Sequence, residues 1–185
     1  MSAAQSGNAL GCLTAALWLC GCAPGVPRLE CGADTDCGAN AFCTAGQCFQ
    51  GTRTCPQLEP KFSSINTALF RVSCGLTGAK AINCHATEGA ESSSGLDLSG
   101  DPYSNLVGRP AVTTFLPPAA SAFNLVLVTP GDGSPNGSFL VRKLQLATAL
   151  DPTFGAGMPA DAPGSICAET IAVVQQWIAQ GAPRN

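Results

Sequence analysis

Four cysteines crowded into the segment 31–48 constrain this chain more than any other feature. They read Cys31-Gly-Ala-Asp-Thr-Asp-Cys37-Gly-Ala-Asn-Ala-Phe-Cys43-Thr-Ala-Gly-Gln-Cys48, with five, five and four residues between successive thiols. Too few apolar residues lie among them to build a core, so a unit this small needs covalent staples. Two disulfides are the natural ones; four cysteines allow three pairings, and the spacing does not choose. Zinc is disfavoured by the lack of Cys-x-x-Cys ligand spacing. Asp34 and Asp36 lack the further oxygen ligands of a calcium loop.

The whole chain carries 11 cysteines in 185 residues. That density suits an oxidising compartment, the periplasm or the cell surface, and not a reducing cytosol. The N-terminus points the same way. No charged residue precedes Arg28, and residues 9–19 form an apolar run too short to span a bilayer but of signal-peptide length. The run ends in Leu19-Cys20-Gly21-Cys22, which resembles a bacterial lipobox. The resemblance implies a lipoprotein signal peptide over 1–21 and a lipid-bearing Cys22 that anchors the protein to a membrane. The segment before the run lacks the usual Lys or Arg, and the alternative is a buried apolar segment. Residues 22–30 then form a linker and 31–55 a disulfide-rich knot. With Cys22 committed to lipid, eight cysteines remain after residue 22: Cys31, Cys37, Cys43, Cys48, Cys55, Cys74, Cys84 and Cys167.

Charge excludes other classes. Only 11% of residues are charged and the formal net charge is -3, whereas nucleic-acid binding needs clustered Lys and Arg. The longest basic cluster, Arg142-Lys143, reads as a solvated helix face. Gly75-Leu-Thr-Gly-Ala-Lys80 lacks the ending of a phosphate-binding loop. There is no Gly-x-Ser-x-Gly elbow and a single histidine, so the chain reads as a non-enzyme.

From Gln57 onward the pattern turns helical. Phe62, Ile65, Leu69 and Val72 recur at helical spacing and predict an amphipathic helix over 62–72. A short helix is expected over 102–107, an irregular stretch over 108–122, a strand-like run over 124–128 and turns over 130–137. Ser138 is the expected cap of a helix through Phe139, Leu140, Leu144 and Leu146. The last helix takes Ser165 as N-cap, buries Ile171, Val174 and Ile178 beside Trp177, and stops at Gly181.

His85, the one histidine, directly follows Cys84, and Cys74 lies upstream. Gly157-Met158-Pro159 lies downstream. These are the parts of a c-type haem site: two thiols for the vinyl groups, an imidazole and a thioether for the iron. The usual attachment motif is Cys-x-x-Cys-His; here nine residues separate Cys74 from Cys84. Gly75 and Gly78 lend that insertion the freedom to loop out.

Together with Gly95-Leu-Asp-Leu, Pro130-Gly-Asp-Gly-Ser and Trp177-Ile-Ala-Gln-Gly-Ala, these motifs resemble cytochrome c-like domains of exported myxobacterial and planctomycete-type lipoproteins. The knot resembles the short disulfide-rich repeats that follow the lipid anchor in such proteins. The resemblance implies a mainly α fold: a small cytochrome c-like helical domain over 60–183 with long Gly/Pro-rich loops, behind the knot. It implies thioether links at Cys74 and Cys84, His85 and Met158 as ligands of a haem c iron, and one-electron transfer to a redox protein partner. His/Met ligation favours reversible electron transfer because both axial positions are filled. The implied setting is the cell envelope, facing the periplasm or cell surface, with the outer membrane preferred because Ala23 follows Cys22. The alternative is a haem-free relic, a surface binding or structural module stapled by Cys74–Cys84 and Cys55–Cys167 disulfides.

Overall fold

The computed structural model describes residues 31, 34–44, 47–74, 85–86, 95–112, 116–147, 151–160 and 163–185. The expected signal peptide over 1–21, the expected linker over 22–30 with Cys22, and Cys84 fall outside them.

The cysteine-dense segment closes on itself. Cys31 pairs with Cys43 and Cys37 with Cys48. The two bridges hold an antiparallel hairpin, β1 (Ala41–Thr44) and β2 (Gln47–Gln50), in which Phe42 lies opposite Phe49. The two rings stack with centroids 6.0 Å apart. Past the hairpin, the Arg53 guanidinium donates to the carbonyls of Cys43 and Ser165, and Cys55 pairs with Cys167. One arm of the chain is thereby bound, covalently and by hydrogen bonds, to the start of the last helix.

The helix expected over 62–72 forms in two parts. A short α1 (Phe62–Ile65) runs directly into a π-helical segment, Asn66–Cys74. The change of pitch decides which side chains turn inward. At about 100° per residue an α-helix continuing from Ile65 would keep Val72 on the buried face and put Cys74 about half a turn away. Bonding i→i+5 rotates each residue by less, and the outcome reverses: Val72 is 57% exposed and Phe70 0%. Cys74 comes round to pack against the core.

Among the described residues three more α-helices follow, α2 (Pro102–Leu106), α3 (Phe139–Gln145) and α4 (Ala168–Ala179), with a 3-10 turn at Pro118–Ala122 between α2 and α3. Asp101 caps α2 by accepting from the Ser104 N–H, as an acidic N-cap should. Ser138 opens α3 but does not cap it. Its buried hydroxyl donates to the Asp132 carbonyl at 2.7 Å and accepts from the Thr129 N–H at 2.9 Å, stitching the 130–137 turn. The last helix starts at Ala168 with Cys167 as its N-cap and not Ser165, the Ser165 carbonyl being held by Arg53 and Cys167 by Cys55. Gly181 closes it with φ +93°, a left-handed residue where glycine costs least. The run at 124–128 makes isolated bridges to Val107 and Pro110 and not a strand of a sheet.

The core lies where α1, the π-helical segment, α2, α3 and α4 meet. The Phe62 ring sits 5.1 Å from Tyr103 and 5.8 Å from Trp177. Trp177 is fully buried, and its indole N–H donates to the Pro183 carbonyl at 2.9 Å. The C-terminal tail folds back to cap α1: Phe62 N–H donates to the Asn185 side chain and Ser63 N–H to its backbone, both at 2.9 Å.

The expectation of a mainly α, cytochrome c-like helical fold is not met. Among the described residues the longest α-helix has 12 residues, the others 7, 5 and 4, and a two-stranded antiparallel sheet stands beside them. Most connections are turns and irregular backbone, with disulfides supplying the constraint. A physical contributor is the glycine and proline content, 21 and 14 residues, which favours turns over long helical runs. Among the described residues no helix is long and apolar enough to cross a membrane.

Candidate functional site

His85 lies inside the protein, only 8% exposed. Two neighbours hold its backbone: its N–H donates to the Cys74 carbonyl at 3.2 Å, and its carbonyl accepts from the Leu98 N–H at 2.6 Å. The first of these bonds joins the end of the π-helical segment to the histidine. The second belongs to Gly95-Leu-Asp-Leu, which wraps the ring: Nδ1 lies 3.1 Å from the Leu96 carbonyl. A carbonyl can only accept, so this contact places the neutral ring's proton on Nδ1 and the basic lone pair on Nε2.

Burial pushes the His85 pKa below its ordinary value of 6.5; the bond to Leu96 opposes this and the positive charge of Lys143 adds to it. The imidazole is therefore uncharged at neutral pH, the form that can ligate a metal. The sign for stability follows. The unfolded chain binds a proton at His85 near pH 6.5, while the folded protein resists it, so stability falls as pH drops below 6.5 and levels off under the lowered folded pKa. The expected slope is at most about 1.4 kcal/mol per pH unit. Urea denaturation of the protein and of His85→Gln between pH 7 and 5 checks it: the variant should lose this part of the slope.

Cys74 is, among the described residues, the cysteine that stays outside a disulfide. Burial alone pushes its thiol up to about 12. A desolvated thiol of that kind is inert as a nucleophile until exposed. The Cys74–Cys84 staple of the haem-free alternative is not formed at Cys74, whereas the Cys55–Cys167 bridge is. Cys84 itself, like the loop before it, lies outside the described residues.

Met158 is half-buried and packs against the core cluster, with its peptide to Pro159 cis. Its backbone is held by Lys143, whose charge is felt at His85. Its N–H donates to the Lys143 carbonyl at 2.7 Å, while the Lys143 charge acts on His85. Lys143 overturns the solvated-face expectation for Arg142-Lys143, being 9% exposed. Burial brings its pKa down to about 8, against the pull of Asp151. Only Arg142 of the pair reaches outward, and it lies over the Phe154 ring at 4.5 Å.

Cys74 and His85 are joined by one hydrogen bond and Lys143 and Met158 by another, the two pairs related by the Lys143 charge felt at His85; Cys74 lies on the π-helical segment, Lys143 on α3 and the other two on loops. The donor set fits a c-type haem at three points: a thiol kept out of disulfides, a neutral imidazole whose Nδ1 is oriented by a carbonyl, and a core-packed thioether. The remaining expected site residues, Cys31, Cys37, Cys43, Cys48, Cys55 and Cys167, are structural. Cys31, Cys37 and Cys48 come close together, as do Cys55, Cys167 and Glu169, but sulfurs spent in disulfides offer no thiolate to a metal. Two residues that shape this arrangement carry no sign of it in the sequence. Leu96 acts through its carbonyl, for which no side-chain signal exists, and Lys143 is polar at a position the fold buries. Comparison with protein-family models, curated proteins and solved structures returns no match.

Proposed function

We propose that this protein is a lipid-anchored carrier of single electrons in the cell envelope, with haem c joined to Cys74 and Cys84 and ligated by His85 and Met158. The observation that carries this is the His85 ring, buried, neutral and turned by the Leu96 carbonyl. Metal-bound histidines are commonly oriented in this way, the second bond fixing the tautomer and raising ligand basicity. When bound, the haem supplies a reversible one-electron couple. The protein's own residues hold it and shape its surroundings. Cys74 offers a thiol that the oxidising compartment has not consumed. Lys143 and burial keep His85 unprotonated, and Leu98, Leu106 and Leu144 wall the neighbouring core against water. The proposal rests on these side chains and not on a helical-bundle fold.

The test is expression of the full chain with haem-attachment machinery, beside His85→Ala. The parent should carry covalently held colour with a reduced α-band, and the variant should lose it. A colourless parent whose Cys74 and Cys84 are bridged would instead establish the haem-free surface module. For the anchor, Cys22→Ser should move the protein from the membrane to the soluble fraction; retention in the membrane would contradict lipidation there.

A further inference from the structure

The turn that carries Met158 packs its Phe154 ring on Phe123, Phe139 and Arg142, and its backbone is held by Lys143. Lys143 Nζ donates to the Phe154 carbonyl at 3.1 Å and also to the Ala156 carbonyl. The same residue's carbonyl receives the Met158 N–H at 2.7 Å. A buried ammonium is costly unless its donors are satisfied, and here the loop satisfies two of them, with the Phe139 ring 5.7 Å away as a further partner. Between the two anchor points the backbone passes flush against the end of α3: a Cβ on Gly157 would stand 1.8 Å from the Leu146 carbonyl oxygen. Upstream, Asp151 and Gly155 exchange backbone bonds at 3.0 and 3.1 Å, and the Asp151 carboxylate accepts from the Thr153 and Phe154 N–H groups. The loop is thus preformed at its start and flattened at Gly157, but among the described residues Lys143 alone hydrogen-bonds it from outside both before and at Met158.

We propose that Lys143 is the positioning residue for Met158. Its side chain draws in the carbonyls of Phe154 and Ala156 while its main chain receives Met158, so that one residue sets where the thioether is presented. The purpose of that presentation rests on the haem site proposed above; the clamp itself does not.

The two are tested separately on the full chain made without haem, with methyl-labelled methionine. Met1 is the one other methionine, and Met158→Leu assigns the signals. The Met158 methyl should be sharp and displaced from its position in the urea-unfolded chain. Lys143→Leu keeps the buried stem and removes the donors. It should bring that methyl to its unfolded position and raise chymotryptic cleavage at Phe154 at least tenfold, with the Trp177 ring signals unchanged. Lys143→Arg, which can still reach carbonyls, should restore both. An unchanged Met158 methyl in a Lys143→Leu protein with native Trp177 signals overturns the proposal. If Lys143→Leu loses the Trp177 signals as well, Lys143→Gln is read by the same two criteria. Failure of haem to attach leaves this comparison intact, and failure of the clamp leaves haem attachment to be judged on its own.

Discussion

Cys74 in the folded, haem-free protein is expected to react with iodoacetamide at pH 8 about a thousandfold more slowly than in the urea-unfolded chain. Its ordinary pKa of 9.0 is pushed up to about 12 by burial. Each unit costs a factor of ten in thiolate, the reactive form, and the three units set the ratio. The cause is local pitch. The π-helical segment turns Cys74 from the solvent side to the core side, and the Cys74 carbonyl is then tied to the His85 N–H. Trypsin cuts after Arg71 and Lys80 and so isolates Cys74 from Cys84 in the readout. Equal labelling rates in the folded and unfolded chains would mean that Cys74 faces solvent. A peptide that labels only after reduction would mean that it is bridged. The same peptide reports on the cofactor, since a thioether at Cys74 blocks alkylation even in urea.

Replacing Cys55 and Cys167 together by serine is expected to cost about 4 to 5 kcal/mol, the chain-entropy value for closing a loop of roughly a hundred residues. The two cysteines are 112 positions apart, whereas the knot bridges span 12 and 11. By the same relation each knot bridge is worth about 3 kcal/mol, and it constrains only the hairpin around it. The long bridge also holds Arg53 where its guanidinium meets the Ser165 carbonyl, so its loss removes a second link. Domains of ordinary stability have about 5 to 15 kcal/mol in all, which places the double variant near the edge of folding. Urea midpoints of parent and variant decide it. A shift worth less than about 1 kcal/mol would mean that the arm contributes nothing to the fold behind it.

Much of this architecture could be read from residue pattern, and the parts that could not share a cause. The face of α4 was legible because Ile171, Val174, Trp177 and Ile178 keep α-helical spacing and are all buried. Gly181 was legible because a helix end at positive φ favours glycine. Val72 misled because apolar spacing assumes one pitch, and the segment after Ile65 adopts another. Ser138 and Ser165 are good caps in isolation, but the turn at Asp132 and the Arg53 arm claim them for other bonds. Lys143 misled because nothing in a local window shows that carbonyls eleven and thirteen positions later will receive its ammonium. At the candidate site, residue chemistry pointed to His85, Cys74 and Met158, while the contacts around them are made by backbone groups and by the Lys143 side chain. The mainly α expectation failed for a related reason: motif order was carried over as helix content, and the glycines and prolines between the motifs keep the helices short.

The most direct test of the haem reading is the mass of the tryptic peptides bearing Cys74 and Cys84, from protein made with haem-attachment machinery. The account predicts that both are found only as one haem-linked species, absorbing at the haem wavelength and resistant to reduction. Recovery of the two peptides separately, each alkylated at its cysteine, would contradict it.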